Sequence, residues 1–282
     1  MEIDLVWLLL LPVIFALGWM TARYDWGQQR RESRHIPTNI LQGISLLLAG
    51  ESARATESLL AAARASPDDT ALHQAVGNLY RQRGLIDRAI EVHEAALRHP
   101  GLEVPVRCEL MLDLSRDYLA AGLLDRAEDV LIDLLNHASD QNEFANAARL
   151  LLMKVAQRTR DWTRAIFWAD EARQHDADFG GMRYEQLMGH FYCERVEQAL
   201  SENDSSAAAQ ALTIAQTFDA PGPIERAAGL RSRMAGSMPN PDAPLTTTAG
   251  VFACTSCGFR SKIRQWQCPG CHEWDSFRLS RL

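Results

Sequence analysis

Apolar residues recur at helical spacing from Pro37 to Ala235, and turn-forming residues interrupt them at intervals. The segments "GLIDRAI" at 84–90 and "GLLDRAE" at 122–128 are close copies. Alignment on their first residue gives a recurring turn position: Gly50, Gly84, Gly122, Arg160 and Asn203. Five residues after each turn the residue is alanine: Ala55, Ala89, Ala127, Ala165 and Ala208. The pattern predicts a series of helix pairs with one packing position kept small.

This pattern is typical of tetratricopeptide repeats, in which two antiparallel helices cross so closely that the contact positions must be small. The first two turns are 34 residues apart, and later spacings of 38, 38 and 43 predict longer loops such as "GLEVP" at 101–105. We predict an all-α solenoid at 37–236, with about five repeats and a capping helix. An irregular helical bundle is the alternative.

Before the repeats, the segment from Leu5 to Ala22 has 18 residues without a charge. As a helix it would be about 27 Å long, which nearly matches the hydrocarbon core of a bilayer. We therefore expect a transmembrane anchor at 1–23. A cleaved signal peptide is the alternative, because Ala16 and Gly18 could form a cleavage site, but no Lys or Arg precedes the apolar segment.

The charges beside this segment predict its orientation. Arginines follow it and none precedes it: Arg23, Arg30, Arg31 and Arg34. By the positive-inside rule, a single-pass protein of this kind has a juxtamembrane segment at 24–36 and the rest of the chain in the cytoplasm. Aromatic residues suited to the membrane interface lie at its end: Trp19, Tyr24 and Trp26.

Composition narrows the function classes. The chain is 47% hydrophobic and 23% charged with a formal charge of -7, which is typical of a folded protein and argues against nucleic acid as a partner. The histidines of the repeat region are scattered without metal-ligand or nucleophile spacing, so we interpret each as a surface or packing residue: His73, His93, His99, His137, His175 and His190. We predict no catalytic and no organic cofactor-binding residue.

Candidate chemistry is confined to the end of the chain. A proline-containing linker at 237–251 leads to residues 252–282, a segment too short to fold on an apolar core alone. Two C-x-x-C pairs lie there, and we predict all four cysteines as ligands of one metal: Cys254, Cys257, Cys268 and Cys271. Cys108 and Cys193 are isolated. Four sulfurs favour tetrahedral zinc, with iron possible.

We expect this metal to be structural, because four thiolates leave no open position for water or substrate. His272 could replace one cysteine, but four sulfurs make it redundant. We predict that aromatic residues cover the site: Phe252, Phe259, Trp266 and Trp274. A redox cysteine pair remains the alternative.

The order of these parts resembles the LapB family of bacterial lipopolysaccharide assembly proteins. The matching segments are "LLLLPV" at 8–13, "GNLYRQRGLIDRAI" at 77–90, "RDYLAAGLLDRAED" at 116–129, "HFYCE" at 190–194 and the cysteine tail. The resemblance implies a single-span protein of the bacterial inner membrane with a periplasmic N-terminus, cytoplasmic tetratricopeptide repeats and a small rubredoxin-like zinc ribbon. Family members carry more repeats between "HFYCE" and the tail.

The resemblance also implies a function. It implies a non-enzymatic adaptor that limits lipopolysaccharide synthesis by promoting degradation of the lipid A pathway deacetylase LpxC by the membrane protease FtsH, with other lipopolysaccharide assembly proteins as further partners. Two alternatives stay open: a generic membrane-anchored interaction scaffold, and an iron-binding electron carrier, since rubredoxins also hold iron in four-cysteine knuckles.

Overall fold

The computed structural model describes residues 15, 19, 38–138, 143–175, 179, 182–236 and 250–281. The chain divides into two compact units, Met1–Pro100 and Gly101–Leu282. The described helices of the first unit are α1 (Thr38–Leu48), α2 (Ser52–Ala65), α3 (Thr70–Gln82) and α4 (Ile86–Leu97).

The second unit contains helices followed by a small sheet. The helices are α5 (Val104–Ala121), α6 (Leu124–His137), α7 (Glu143–Arg158), α8 (Trp162–Gln174), α9 (Tyr184–Ser201), α10 (Ser205–Ala215) and α11 (Pro221–Met234). The strands are β1 (Gly250–Cys254), β2 (Arg260–Ser261) and β3 (Phe277–Arg281). In both units consecutive helices pack as hairpins: α1 with α2, α3 with α4, α5 with α6, α7 with α8, and α9 with α10.

The turn between the two helices of each hairpin falls at the predicted residue. All five predicted turn residues have left-handed backbone conformations, with φ of 78° at Gly50, 74° at Gly84, 78° at Gly122, 57° at Arg160 and 59° at Asn203. The residue after each turn donates its N–H to a carbonyl five positions earlier, as Leu85 does to Tyr80 at 2.9 Å. These bonds satisfy the open carbonyls at the helix end, and the predicted repeat phase is confirmed.

Close helix packing explains the small residues. The alanines five positions after the turns are all fully buried: Ala55, Ala89, Ala127, Ala165 and Ala208. Gly77, seven residues before its turn, lies against His93, and a Cβ at Gly77 would come 2.4 Å from His93 Nε2. His93 is therefore a packing residue, as predicted, and fixes how closely α3 and α4 approach.

The longer repeat spacings arise partly from longer helices, so the prediction that loops absorb the extra residues needs correction. Val104 and Pro105, placed in a loop by the sequence reading, lie in the first turn of α5. Proline is accepted there because its missing N–H would have no helical partner. Helices α5 and α9 have 18 residues each, against 13 in α3.

The tail is a three-stranded antiparallel sheet with β1 in the centre, in the order β2-β1-β3. Phe252 pairs with Ser261 on one side and with Leu279 on the other. β1 begins at Gly250, so the last two residues of the predicted linker belong to the sheet. The rest of that linker, 237–249, lies outside the described residues.

The predicted span at 5–22 and juxtamembrane segment at 24–36 lie outside the described residues, apart from Phe15 and Trp19. Those two residues are helical and exposed. Within the described ranges, no helix is both long enough and apolar enough to cross a bilayer.

Candidate metal centre

The two C-x-x-C pairs bring their four sulfurs together at one end of the tail sheet. Cys254 ends β1, and Cys257 follows in the turn that leads to β2. The Sγ atoms of Cys254 and Cys271 are 3.6 Å apart, as are those of Cys257 and Cys268. All four Sγ atoms lie within 4.8 Å of one another. Residues distant in sequence thus form one compact sulfur cluster.

Both knuckles use the same backbone turn. In each, the carbonyl of the first cysteine accepts a hydrogen bond from the residue four positions later: Gly258 donates to Cys254 at 2.9 Å and His272 to Cys268 at 2.8 Å. Both donors have left-handed backbone conformations, with φ of 75° at Gly258 and 61° at His272. His272 thus holds the turn position that glycine holds in the first knuckle, and the ligand cluster found among the described residues does not include it.

The sulfur positions fit a tetrahedral metal ion. Zinc–sulfur bonds of about 2.3 Å place neighbouring sulfurs about 3.8 Å apart in a tetrahedral site. The Sγ–Sγ distance of 3.6 Å in the Cys254–Cys271 and Cys257–Cys268 pairs is close to this value. Burial raises the pKa of Cys271 to about 12, whereas a hydrogen bond with Ser276 lowers the pKa of Cys254 to about 5. Four thiolates within 4.8 Å of one another repel, so a bound cation is needed to hold them side by side. The cluster therefore has the donor set and spacing for a divalent ion.

Side chains around the cluster differ from the predicted aromatic shell. Phe252 packs against the buried core formed by Cys254, Cys268 and Phe277, as predicted. Trp266 and Trp274 instead pack into the helical core of α7–α9, so the prediction that they cover the metal is wrong. The sequence marked both tryptophans as buried but could not indicate which core they join.

Trp274 anchors the tail to the helices. Its side chain is 6% exposed and packs edge-on against Trp162 of α8 at 6.3 Å between ring centroids. The ring of His190 in α9 stacks on it at 4.7 Å with an interplanar angle of 19°. The indole Nε1 of Trp274 donates a hydrogen bond to Gln157 Oε1 at 3.1 Å, so the one polar group of this buried ring has a partner.

Asp275, the next residue, adds a polar contact in the same place. Its Oδ2 accepts hydrogen bonds from His190 Nε2 at 2.7 Å and from Gln186 Nε2 at 2.6 Å, both on α9. A Cβ at Gly222 of α11 would come 2.5 Å from the same oxygen. Only glycine lets the α11 backbone come this close to the Asp275 carboxylate. The binding site for this carboxylate is therefore formed by α9 and α11 together.

The protonation states follow from this packing. Burial lowers the pKa of His190, although Asp275 acts in the opposite direction. Burial alone would raise the pKa of Asp275, but hydrogen bonds from His190 and Gln186 lower it. At neutral pH the carboxylate is ionised and the imidazole is neutral, with the His190 proton on Nε2. His190 Nδ1 and Asp275 Oδ1 are buried and have no hydrogen-bond partner among the described residues, which costs stability.

Ion pairs stabilise the contact between the tail and the helices, one across its edge and others between the two helices that hold Asp275. Arg264 of the tail donates to both carboxylate oxygens of Glu225 in α11 at 3.0 Å, and its guanidinium lies 4.5 Å from the Trp266 ring centroid. Arg226, buried in α11, pairs with Glu194 and Glu197 of α9 at 2.7 Å and 2.9 Å. The exposed Arg264 pair contributes little, whereas Arg226 fixes the spacing of the two helices that receive Asp275.

The sequence reading missed most of this contact. It treated His190 as a packing residue, which is correct, but gave no role to Asp275, Gln157, Gln186 or Gly222. The other predicted packing or surface histidines do not join the sulfur cluster, which is the group of possible metal ligands found in the described ranges. The one available signal was Trp274: a buried aromatic residue in so small a domain needs a larger partner.

Comparisons with known proteins agree with the geometry. The LapB zinc-ribbon family, described as a rubredoxin metal binding domain, matches residues 252–278. Lipopolysaccharide assembly protein B of Escherichia coli (strain K12) is 32% identical over 197 residues, 70% of this chain and 49% of that protein. The protein of the same name from Haemophilus influenzae is 27% identical over 172 residues, 58% of this chain and 42% of that protein.

One solved structure supports the helical fold. The C-terminal part of a tetratricopeptide repeat protein from Cytophaga hutchinsonii aligns with a TM-score of 0.50 and 16% identity, over 74% of this chain and 83% of that chain. The chain spans about half the length of the curated relatives it matches. The predicted resemblance is confirmed: this chain is related to lipopolysaccharide assembly protein B over 70% of its own length and carries that family's rubredoxin metal binding domain.

Proposed function

We propose that this protein is a non-enzymatic adaptor of the bacterial inner membrane that limits lipopolysaccharide synthesis. In this proposal it presents the deacetylase LpxC to the membrane protease FtsH for degradation. The relationship to proteins named for lipopolysaccharide assembly supports the general role. Tetratricopeptide hairpins commonly hold other proteins, which agrees with an adaptor.

The observation that carries the proposal is the docked tail. Trp274 shares a buried core with Trp162 and Phe191, and Asp275 is seated between α9 and α11. A metal domain held this firmly presents its surface together with that of the helices. We propose that the tail and the repeats form one working surface for the client and the protease.

The metal in this proposal is zinc and its role is structural. Four sulfurs at tetrahedral spacing suit zinc, which would cross-link the two knuckles and hold Trp266 and Trp274 in their positions against the helices. In this proposal the protein's side chains, and not the zinc ion, contact the client and the protease. A colourless purified protein containing one zinc per chain would agree with this role, and a red iron-containing protein would favour an electron carrier.

Membrane attachment in this proposal comes from the apolar segment at 5–22, with the helices and the tail on the cytoplasmic side. Eighteen uncharged residues followed by four arginines support this topology. An anchor would keep the adaptor in the same plane as a membrane protease, which raises their effective concentration.

The lifetime of LpxC in the native host tests the function. We expect depletion of this protein to lengthen that lifetime and the wild-type chain to restore it. The double variant Cys254→Ser, Cys257→Ser should fail to restore it at equal protein abundance. The Thr255→Ser variant, which changes the same knuckle but keeps the hydroxyl that donates to the Ser276 carbonyl, is the matched control and should restore it.

Two results would contradict the proposal. An LpxC lifetime that does not change on depletion would remove this client, and a crosslinking search for other partners would then test a generic scaffold. Normal LpxC turnover with the double cysteine variant would instead keep the client and remove the tail from the working surface.

A further inference from the structure

The first helix of the repeats has an apolar face turned to solvent. Leu41, Ile44 and Leu48 follow one another at helical spacing in α1, and their exposed fractions are 53%, 46% and 86%. The opposite side of α1 packs on α2, where Gly43 lies against Leu59. Among residues 38–100, the two other exposed large hydrophobic residues are Leu47, which also belongs to α1, and Leu85, which lies outside it. The exposed large hydrophobic side chains of residues 38–100 are therefore concentrated on α1.

The composition of α1 favours a lipid surface over a protein partner. The helix "TNILQGISLLL" contains no charged and no aromatic residue. Specific protein interfaces are enriched in aromatic and arginine anchors, and α1 carries neither. A surface that recognises apolar acyl chains needs no such anchors.

The residues before α1 supply the complementary charge. Arg30, Arg31 and Arg34 lie within eight residues of Thr38, where α1 begins, and Arg23 lies further upstream. Basic residues beside an apolar helix face are the combination that binds an anionic membrane interface. Residues 23–37 connect α1 to the proposed anchor and span at most about 50 Å when extended, so α1 can reach the bilayer surface and lies no farther than that from the end of the anchor.

We infer that α1 lies on the cytoplasmic surface of the membrane, with Leu41, Ile44 and Leu48 inserted among anionic phospholipids. The inference rests on the proposed anchor at 5–22 and adds a second membrane contact. The apolar face enters the boundary between headgroups and acyl chains, and the upstream arginines bind the phosphate groups. This contact fixes how the first helical unit is oriented toward the membrane.

Photocrosslinking of the full chain tests the inference. One variant carries p-benzoylphenylalanine in place of Leu48, and a matched variant carries it in place of Gln42. Gln42 is also exposed and lies about 120° away around the same helix. Both chains are reconstituted in vesicles of phosphatidylglycerol and phosphatidylcholine, irradiated and examined by mass spectrometry. We expect several-fold more lipid adduct at position 48 than at position 42.

The other outcomes separate the competing explanations. Equal lipid labelling at the two positions, or a covalent dimer at position 48, would overturn the inference, and the dimer would identify a second copy as the occupant. No adduct from a chain that resists alkaline washing would overturn the inference and leave the anchor intact. Release of the chain by that wash would overturn both.

The lipid composition tests the role of charge. In vesicles of phosphatidylcholine alone we expect less adduct at position 48, because the arginines then lack anionic headgroups. An equal yield in the two kinds of vesicle would overturn the assignment of the arginines to lipid phosphates.

Discussion

The helical hairpins and the cysteine tail bury their cores by different means. In the hairpins, small residues such as Ala89 and Ala165 are fully buried at the same repeat position, and each helix packs on its hairpin partner. In the tail, the buried core consists of Cys254, Cys268 and Phe277. Its largest buried side chain, Trp274, belongs to the core of the helices.

This difference teaches that the two regions depend on different interactions. The hairpins obtain stability from many local apolar contacts, so no single side chain is decisive. The tail has too little apolar surface to fold alone and relies on a metal ion within and on the helices outside. Perturbations should therefore affect the tail sharply and the hairpins gradually.

The largest expected effect is the loss of the metal. The double variant Cys254→Ser, Cys257→Ser should retain no metal and have an unfolded tail, because structural zinc sites contribute about 10–16 kcal/mol of binding energy. Elemental analysis gives the metal content, and near-ultraviolet circular dichroism reports the environment of the tail tryptophans. Far-ultraviolet circular dichroism should keep the signal of the helices. A parallel loss of helix would show that the hairpins depend on the tail.

The next effect separates docking from metal binding. The Trp274→Ala variant should lose about 3–5 kcal/mol of docking stability, since it removes a large buried side chain from the helical core. Its metal content should stay at the wild-type value, because Trp274 lies outside the cysteine core. Limited proteolysis at the connecting segment measures docking, with Leu279→Ala as the exposed control. Loss of metal from Trp274→Ala would mean that the tail cannot fold undocked.

Acid should weaken the docked state. Because the pKa of His190 is lowered by burial, its contribution is complete above the ordinary value of about 6.5 and declines as the pH falls below it. The pKa of Asp275 is also lowered, so its contribution is lost only below about 3.9. Between pH 7 and pH 5 we thus expect docking, followed by tryptophan fluorescence, to weaken through His190.

A matched variant distinguishes this effect from acid release of the metal. His190→Gln removes the titrating group, so docking should depend less on pH between pH 7 and pH 5, although its stability is lower throughout. Metal content measured at each pH separates the two processes. An equal pH dependence in the variant and the wild type would assign the effect to the cysteines.

The smallest effect concerns the hairpins. Arg160 holds a left-handed turn conformation with φ of 57°, which glycine holds in the first three repeats. Arg160→Gly should stabilise the protein by up to about 1 kcal/mol, because the strain of a Cβ in this conformation outweighs the added chain entropy. Gly122→Ala should destabilise it by a similar amount, and thermal unfolding measures both. A destabilised Arg160→Gly would mean that the arginine side chain makes a compensating contact.

The hairpins were predictable because their turns and packing positions are determined by residues close together in the sequence. The turn at Gly84 and the buried Ala89 follow from one repeat of 34 residues, and a backbone turn depends on its own sequence. The cysteine pairs were predictable for the same reason, since each knuckle closes within four residues. The lengths of α5 and α9 were not predictable, because spacing alone does not say whether extra residues extend a helix or a loop.

The sequence by itself determined the repeat phase, the turn residues and the four sulfurs that come together. Only the tertiary structure decided where the tail packs. The bonds that dock it join residues 85 apart in His190–Asp275 and 117 apart in Gln157–Trp274. No local pattern specifies such pairs, because they depend on the arrangement of α7, α9 and α11 after the hairpins have folded. The sequence therefore assigns Trp274 to the metal domain, whereas in the structure its side chain is part of the helical core.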